Sequence, residues 1–259
     1  MSPRASRDMV EHADLPLMRR MADAVSRVVD EGAPEGFGDV LRMGADGTPT
    51  KRVDDLAEKA ILDLLPARGI DLLSEEAGFV DRAGDRVLVV DPIDGTTNAA
   101  RGIPFYCVSL AVGRKTLSDV EAGLVVNLCT GDRFEAVRGQ GATLNGQPIR
   151  ARVDRKHPVY ATSGAEDVPA TRGVLRSFGA SALEMCLVAQ GALDGYHYPK
   201  PILRIIDVAA STLLVREAGG VVLDLDGKDL ELPLSLAPRF GLTAAPDRET
   251  ARTLGGESK

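Results

Sequence analysis

The chain of 259 residues is about 1.7 times a typical domain of roughly 150, and with 44% hydrophobic and 27% charged residues it can bury a sizeable core, which excludes a disordered chain. A formal net charge of −7 argues against a nucleic-acid partner, whose phosphates need a basic face, and against docking on an anionic membrane. Aliphatic runs such as Val87 to Val90 fall far short of the ~18 residues of a membrane span, and Arg4, Arg7, Asp8 and Glu11 leave no apolar leader, so a cytoplasmic protein is expected.

From Asp14 the apolar set Met18, Met21, Val25 and Val28 recurs at helical steps, which predicts an amphipathic helix with Pro16 in its first turn, stopped near Gly32. A Gly-rich loop to Pro49 follows. A second helix is expected to be capped by Asp54 or Asp55, to bury Leu56, Ala60 and Leu64, and to end before Pro66. Strands are predicted at Ile70 to Leu73, Arg86 to Val90, Phe105 to Val112, Ala122 to Leu128 and Arg133 to Val137, at spacings typical of an antiparallel sheet. Asn145-Gly146 signals a hairpin turn. The pattern then alternates: a strand at Val159 to Ser163, a helix at Ala182 to Gly191, a strand or loop, a helix at Asp207 to Ala218 and a strand at Val221 to Leu225. The expected organisation is therefore an α+β domain over residues 1–150 and an α/β domain over 151–259. Cys107, Cys129 and Cys186 lie far apart with no CxxC pair, and read as reduced core thiols.

The segment Asp91-Pro92-Ile93-Asp94-Gly95-Thr96-Thr97-Asn98 continues an apolar strand. If the chain turns at Pro92, the two carboxylates converge on one point, and carboxylate and carbonyl oxygens are the hard ligands that Mg²⁺ prefers. Gly95 allows close backbone approach, and the amides of Gly95 and Thr96 face an anion if a helical turn begins there. On spacing alone the same residues also fit a Pro-Asp-Gly surface turn. They do not fit a calcium-binding EF-hand loop, whose twelfth position needs Glu where this chain has Gly102. Elsewhere, Glu75-Glu76 ends a short strand, Asp55 with Glu58 has capping-box spacing, and Asp207 stands where a helix cap is wanted. His12, His157 and His197 are scattered and fit surface or structural roles. Gly139-Gln-Gly141 lacks the third glycine of a dinucleotide fingerprint.

Taken in order, these acids make the sequence resemble the inositol monophosphatase superfamily of Mg²⁺-dependent sugar-phosphate phosphatases. The Asp-Pro-hydrophobic-Asp-Gly-Thr signature is met at Asp91 to Thr96, the upstream Glu-Glu at Glu75-Glu76, and the downstream Asp-Val-Ala-Ala and Glu-Ala-Gly-Gly at Asp207 to Ala210 and Glu217 to Gly220. Gly44 to Thr50 and Gly139 to Gly146 are also similar, in particular to the archaeal-type branch that hydrolyses both fructose 1,6-bisphosphate and inositol phosphates. The resemblance implies a five-layer αβαβα sandwich, Mg²⁺ as cofactor, a small-molecule sugar phosphate as substrate and a homodimer. It implies that Glu75, Asp91 and the Ile93 carbonyl bind one metal, that Asp91, Asp94 and Asp207 bind a second, and that Glu75 contributes to a third. It assigns Asp54 and Thr96 to orienting the attacking water, and Gly95, Thr96 and Thr97 to holding the phosphate. One metal then activates water while the other stabilises the leaving oxygen, with no covalent intermediate.

The chain departs from the family pattern at Ala99 and Ile206, which stand where aromatics are usual. It also has Lys200 where inositol-specific members carry an acid, with Arg204 following and Arg176 upstream. These cations are suited to a second phosphate, so a bisphosphate substrate is expected. Ser163, Gly164 and Ser181 are further candidates for sugar contacts. The alternatives are a nucleotide phosphatase acting on a 3′-phosphoadenosine nucleotide or NADP, which an aromatic content of 4% without Trp disfavours, and a non-catalytic binding protein of the same fold.

Overall fold

The computed structural model of the chain describes residues 11–31, 36–45, 47–154, 156–163 and 173–256. In chain order the elements are α1 (Leu15–Glu31), a hairpin of β1 (Val40–Met43) and β2 (Pro49–Lys51), α2 (Arg52–Leu62), β3 (Asp71–Ser74), β4 (Gly78–Val80), β5 (Val87–Asp94), α3 (Thr96–Arg101) and β6 (Cys107–Gly113). Strands β7 (Ala122–Asn127), β8 (Arg133–Val137), β9 (Gly141–Leu144) and β10 (Gln147–Ile149) follow. The remainder comprises β11 (Val159–Thr162), β12 (Val174–Arg176), α4 (Ser181–Ala189), β13 (Gly195–Leu203), α5 (Ile205–Glu217), β14 (Val221–Leu223), β15 (Phe240–Ala245) and α6 (Arg248–Gly255).

Strands β3 to β10 form one sheet of eight in the order β10-β9-β8-β7-β6-β5-β3-β4, and β11 to β15 form a second of five in the order β12-β11-β13-β15-β14. The runs that read as continuous apolar strands do so because both faces of the large sheet are covered. Leu88 and Val90 of β5, Leu110 and Val112 of β6 and Leu124 and Val126 of β7 pack with Leu15, Met18, Met21 and Val25 of α1 and Val53, Ala57 and Ile61 of α2. The alternate residues Val87, Val89, Ala111 and Val125 turn the other way, into a core shared with α4, α5 and the small sheet's Ala161, Tyr196, Leu242 and Ala244. Helix α6 covers the outer face of that sheet through Ala251, against Leu223 and Ala245. The layers are thus α1/α2, large sheet, α4/α5, small sheet and α6, the αβαβα sandwich.

Helix α5 lies in the middle layer, and every residue from Ile205 to Val215 is buried, as an all-round apolar helix requires. It sits directly on β7 at Gly123, where an added Cβ would come within 3.0 Å of the Ala210 carbonyl oxygen. Among the described residues no helix is long and apolar enough to cross a membrane.

Several sequence-level expectations need correction. The stretch expected as a loop before Pro49 holds the β1–β2 hairpin. Helix α2 buries Val53, Ala57 and Ile61 while Leu56 is 39% exposed, because the fourfold step from Val53 aligns with α1. The large sheet is mixed: β3 runs parallel to β5. Asp54 and Asp207 are not helix caps but third residues of their helices, accepting the N–H groups of Lys51 and Arg204 at 3.1 and 2.7 Å. Asp55 pairs instead with Arg42, and Glu58 accepts from the Ser74 hydroxyl and the Ala77 amide, so their spacing makes no capping box. Cys107 and Cys186 are buried as expected, whereas Cys129 is only partly so. The hairpin at Asn145-Gly146 is present, with both residues at positive φ (50° and 77°) and β9 paired to β10.

Candidate functional site

The parallel register of β3 and β5 pairs Ser74 with Val90, so the next residues along each strand, Glu75 and Asp91, emerge side by side at one sheet edge. In a regular strand Asp91 and Asp94, three residues apart, would point to opposite faces. Here β5 bulges against β6: Asp91 faces Ser109 and Asp94 faces Cys107, so one extra residue on β5 turns the second acid back toward the first. Pro92 lies inside the bulge, where its missing N–H leaves no ladder bond unmade. The expected turn at Pro92 is therefore a bulge within β5, and Asp91 Oδ1 accepts the Ile93 N–H (3.1 Å) across it. Gly95 ends the strand at φ +90°, where an added Cβ would stand 3.1 Å from both the Phe105 carbonyl oxygen and the Ala180 side chain. Thr96 then opens α3.

Three helix starts converge on this edge. At the start of α5, Asp207 Oδ2 accepts its own cap amide, while its Oδ1 receives the Arg204 guanidinium at 2.8 Å from Nη2 and 3.1 Å from Nε. The same guanidinium donates from Nη1 to Glu75 at 2.5 Å. At the start of α2, Asp54 Oδ1 is buried beside Thr96 without a hydrogen-bond partner, and the Thr96 hydroxyl donates to the Ile93 carbonyl at 3.0 Å. At the start of α4, the Ala182 N–H donates to Asp94 Oδ2 at 2.6 Å, and the Ser181 and Tyr196 hydroxyls are hydrogen-bonded at 2.8 Å. Asn98 fixes the back of α3 by donating to the Phe105 and Phe178 carbonyls.

Crowding buried like charges shows in their titration. Burial first, then the Glu75 charge, pushes the Asp54 carboxyl up to about 7. Burial and the charges of Glu75 and Asp94 hold Asp91 well above the carboxylate range, and burial and Asp207 raise Asp94. Burial alone would lower Arg204, but Asp207 and Glu75 outweigh it and the guanidinium stays charged. This guanidinium bridges Glu75 and Asp207, and among the described residues no group of three or more His, Cys, Asp or Glu side chains closes round one ion.

A cavity of about 560 Å³ opens over these groups, lined by Asp54, Glu75, Gly95, Thr96, Thr97, Arg204 and Asp207. A neighbouring cavity of about 350 Å³ shares Tyr198, Arg204 and Asp207 with it and is lined by Asp94, Ser163, Ser181 and Glu184. Ser163 and Ser181 are thus beside the acids, with Ser163 Oγ buried and unpartnered, whereas Gly164 lies outside the described residues. Lys200, exposed on β13, and Arg176, exposed on the edge strand β12, line neither cavity. Residues that the sequence did not single out take cavity positions instead: Thr48 donates to Glu75 (3.1 Å), Lys51 Nζ reaches Thr97 Oγ1 (3.3 Å), and Arg239 lines the larger cavity. Lys51 had a local signal, standing just before the helix that carries Asp54. Arg239 had none, because it arrives from just before β15.

The sequence from residue 16 to 256 matches the model of the inositol monophosphatase family. A fructose-1,6-bisphosphatase/inositol-1-monophosphatase of Methanothermobacter thermautotrophicus is 39% identical, covering 89% of this chain and 91% of that protein. A bifunctional NADP phosphatase/NAD kinase of Methanococcus maripaludis is 34% identical, covering 85% of this chain and 45% of that protein. Among solved structures, a Pyrococcus horikoshii protein with similarities to inositol-1 monophosphatase superposes with a TM-score of 0.80 at 30% identity, over 95% of this chain and 96% of the other.

Proposed function

Since the chain belongs to the inositol monophosphatase family, we propose that it is a Mg²⁺-dependent phosphatase of sugar phosphates, releasing the 1-phosphate of fructose 1,6-bisphosphate and hydrolysing inositol 1-phosphate. The observation that carries this reading is the meeting of Glu75, Asp91, Asp94 and Asp207 beside the first turn of α3, whose leading amides have no partner within the helix. An all-oxygen donor set that is too negative for its own burial fits a hard divalent cation, and so does the unpartnered Asp54 Oδ1 next to it. In this reading Glu75, Asp91 and the Ile93 carbonyl hold one ion, and Asp91, Asp94 and Asp207 hold another. Bound there, Mg²⁺ would supply Lewis-acid activation of water and stabilisation of the leaving oxygen.

The chain's own residues supply positioning and proton handling. The Thr96 hydroxyl now spends its proton on the Ile93 carbonyl. With that carbonyl engaged elsewhere, Asp54 Oδ1 is the acceptor at hand, which turns the Thr96 lone pairs toward the attacking water and orients it. In the metal-free chain burial and the Glu75 charge raise this carboxyl to about 7, and a divalent ion held by Glu75 would offset the second of these and favour the ionised acceptor. The amides of Gly95 and Thr96 and the Thr97 hydroxyl receive the phosphate. The water oxygen bonds to phosphorus as the bond from phosphorus to the sugar oxygen breaks, and the sugar oxygen leaves with a proton. A second phosphate would be received by Lys51 or Arg239, which line the cavity, in preference to Lys200 and Arg176.

Phosphate release from fructose 1,6-bisphosphate, inositol 1-phosphate, a 3′-phosphoadenosine nucleotide and NADP, each with Mg²⁺ and with chelator, tests the reading. Preference for NADP would favour the second reading, supported by the NADP phosphatase relative, and no release from any substrate would favour a binding protein. The same reading makes the protein a cytoplasmic homodimer. The exposed apolar side chains of Val40, Leu41 and Met43 on β1 support a partner surface, and a solution mass of 27.4 kDa would reject the dimer.

A further inference from the structure

The Arg204 guanidinium, expected from the sequence to receive a second phosphate, is instead held by two acids of the site. It is neither on the surface nor directed only into the cavity: it bridges Glu75 and Asp207, the two acids contributed by different elements, and its side chain is only 16% exposed. Its contacts with Glu75 and Asp207 use oxygens that a metal would need. Asp207 Oδ1 takes both Nη2 and Nε, while Oδ2 accepts the α5 cap amide at 2.7 Å and a longer contact from Nε at 3.4 Å. Glu75 Oε1 is shared between Arg204 and the Thr48 hydroxyl.

We infer that Arg204 is an exchangeable counter-cation, competing with the divalent ion for Glu75 and Asp207 and leaving these acids when the ion binds. The physical basis is the charge balance. Two carboxylates this close and this buried repel each other strongly unless a cation lies between them, and a planar guanidinium matches them through two separate N–H directions. A doubly charged ion in the same place satisfies the acids better, but it can enter only after those N–H contacts open. Asp207 Oδ2 can keep its cap bond throughout, so α5 need not move. The displaced guanidinium stays at the wall shared by the two cavities, where it faces whatever anion the site takes next. Arg204 thus sets metal affinity without being a ligand.

This inference rests on the proposed metal site, and the test separates the two. Mg²⁺ binding is measured by titration calorimetry on the intact protein and on Arg204→Gln and Arg204→Lys. Removing the competing charge should tighten Mg²⁺ binding at least about tenfold in Arg204→Gln, with a smaller change in Arg204→Lys, whose ammonium is a single point charge. The melting temperature in chelator should fall in Arg204→Gln and recover when Mg²⁺ is added. Equal or weaker Mg²⁺ binding by Arg204→Gln would overturn the inference and leave the metal site standing, whereas no Mg²⁺ binding by any of the three proteins would overturn both. If Arg204→Gln does not fold, the wild-type protein decides by NMR. A protected arginine Nε–H signal that is lost or shifted on Mg²⁺ addition supports the exchange, and an unmoved signal refutes it.

Discussion

Asp54→Asn should make the metal-free protein more stable and the enzyme slower, a pairing that simple damage to the fold cannot produce. Asp54 is 4% exposed, and its carboxyl is raised from 3.8 to about 7, chiefly by burial. Three pKa units at 1.36 kcal/mol each put the cost of its charged form at neutral pH on the order of 4 kcal/mol. Asparagine keeps an oxygen for the Lys51 amide, which Asp54 accepts at 3.1 Å, and removes the charge. Its new NH₂ group must find a partner near Thr96, so roughly half of the gain, about 2 kcal/mol, should survive. In chelator at pH 8 that raises the melting temperature by about 4–8 °C. The sign reverses the usual carboxylate case: the folded state holds a proton that the unfolded chain has already released, so the wild-type penalty grows as pH rises from about 4 to about 7. The variant's advantage should therefore shrink at pH 5. Turnover with Mg²⁺ should fall about 10²–10⁴-fold, since an amide cannot take the Thr96 proton, while Mg²⁺ binding persists. Calorimetric melts at pH 5 and 8 with a phosphate-release assay decide it. A variant no more stable than wild type at pH 8, or one with full turnover, would refute the reasoning.

Asp94→Asn should be inactive yet folded, and Mg²⁺ should raise its melting temperature less than that of the wild type, because only the ion shared with Asp91 and Asp207 is lost; full activity would remove Asp94 from the metal site. The metal-free wild-type protein should lose stability between pH 5 and 8, because burial raises Glu184 to about 7 as well as Asp54, and Glu184→Gln should flatten that slope in thermal melts. Gly95→Ala combines φ +90° with contacts of 3.1 Å and should cost about 2 kcal/mol or more, read as a melting temperature lower by at least about 4–8 °C with loss of turnover. Arg239→Ala should raise KM for fructose 1,6-bisphosphate several-fold more than for inositol 1-phosphate, whereas Lys200→Ala should leave both near wild type; the reverse pattern would return the second phosphate to Lys200.

Local chemistry made much of this protein legible before folding is considered. Helices α1 and α5 follow from apolar spacing and, for α5, from Asp207 at its start, the β9–β10 turn from Asn145-Gly146, and the carboxylates are named by the Asp91 to Thr96 signature and by Glu75 and Asp207. Each of these depends on neighbours within a few residues, and such dependence is written in the sequence. What pairs with what is not. That β3 lies parallel to β5, so that Glu75 emerges beside Asp91, depends on a register between segments with no local mark of direction. The bulge that turns Asp94 toward Asp91 exists only against β6, and Val53 displaces Leu56 from the buried stripe only because α1 lies where it does. Arg204 reads in the sequence as a cation for a second phosphate, beside Lys200 and Arg176. Only the packing of α5 against the strand ends brings it between Glu75 and Asp207, because a long-range charge pair is decided by which elements share a core rather than by the residues on either side of it.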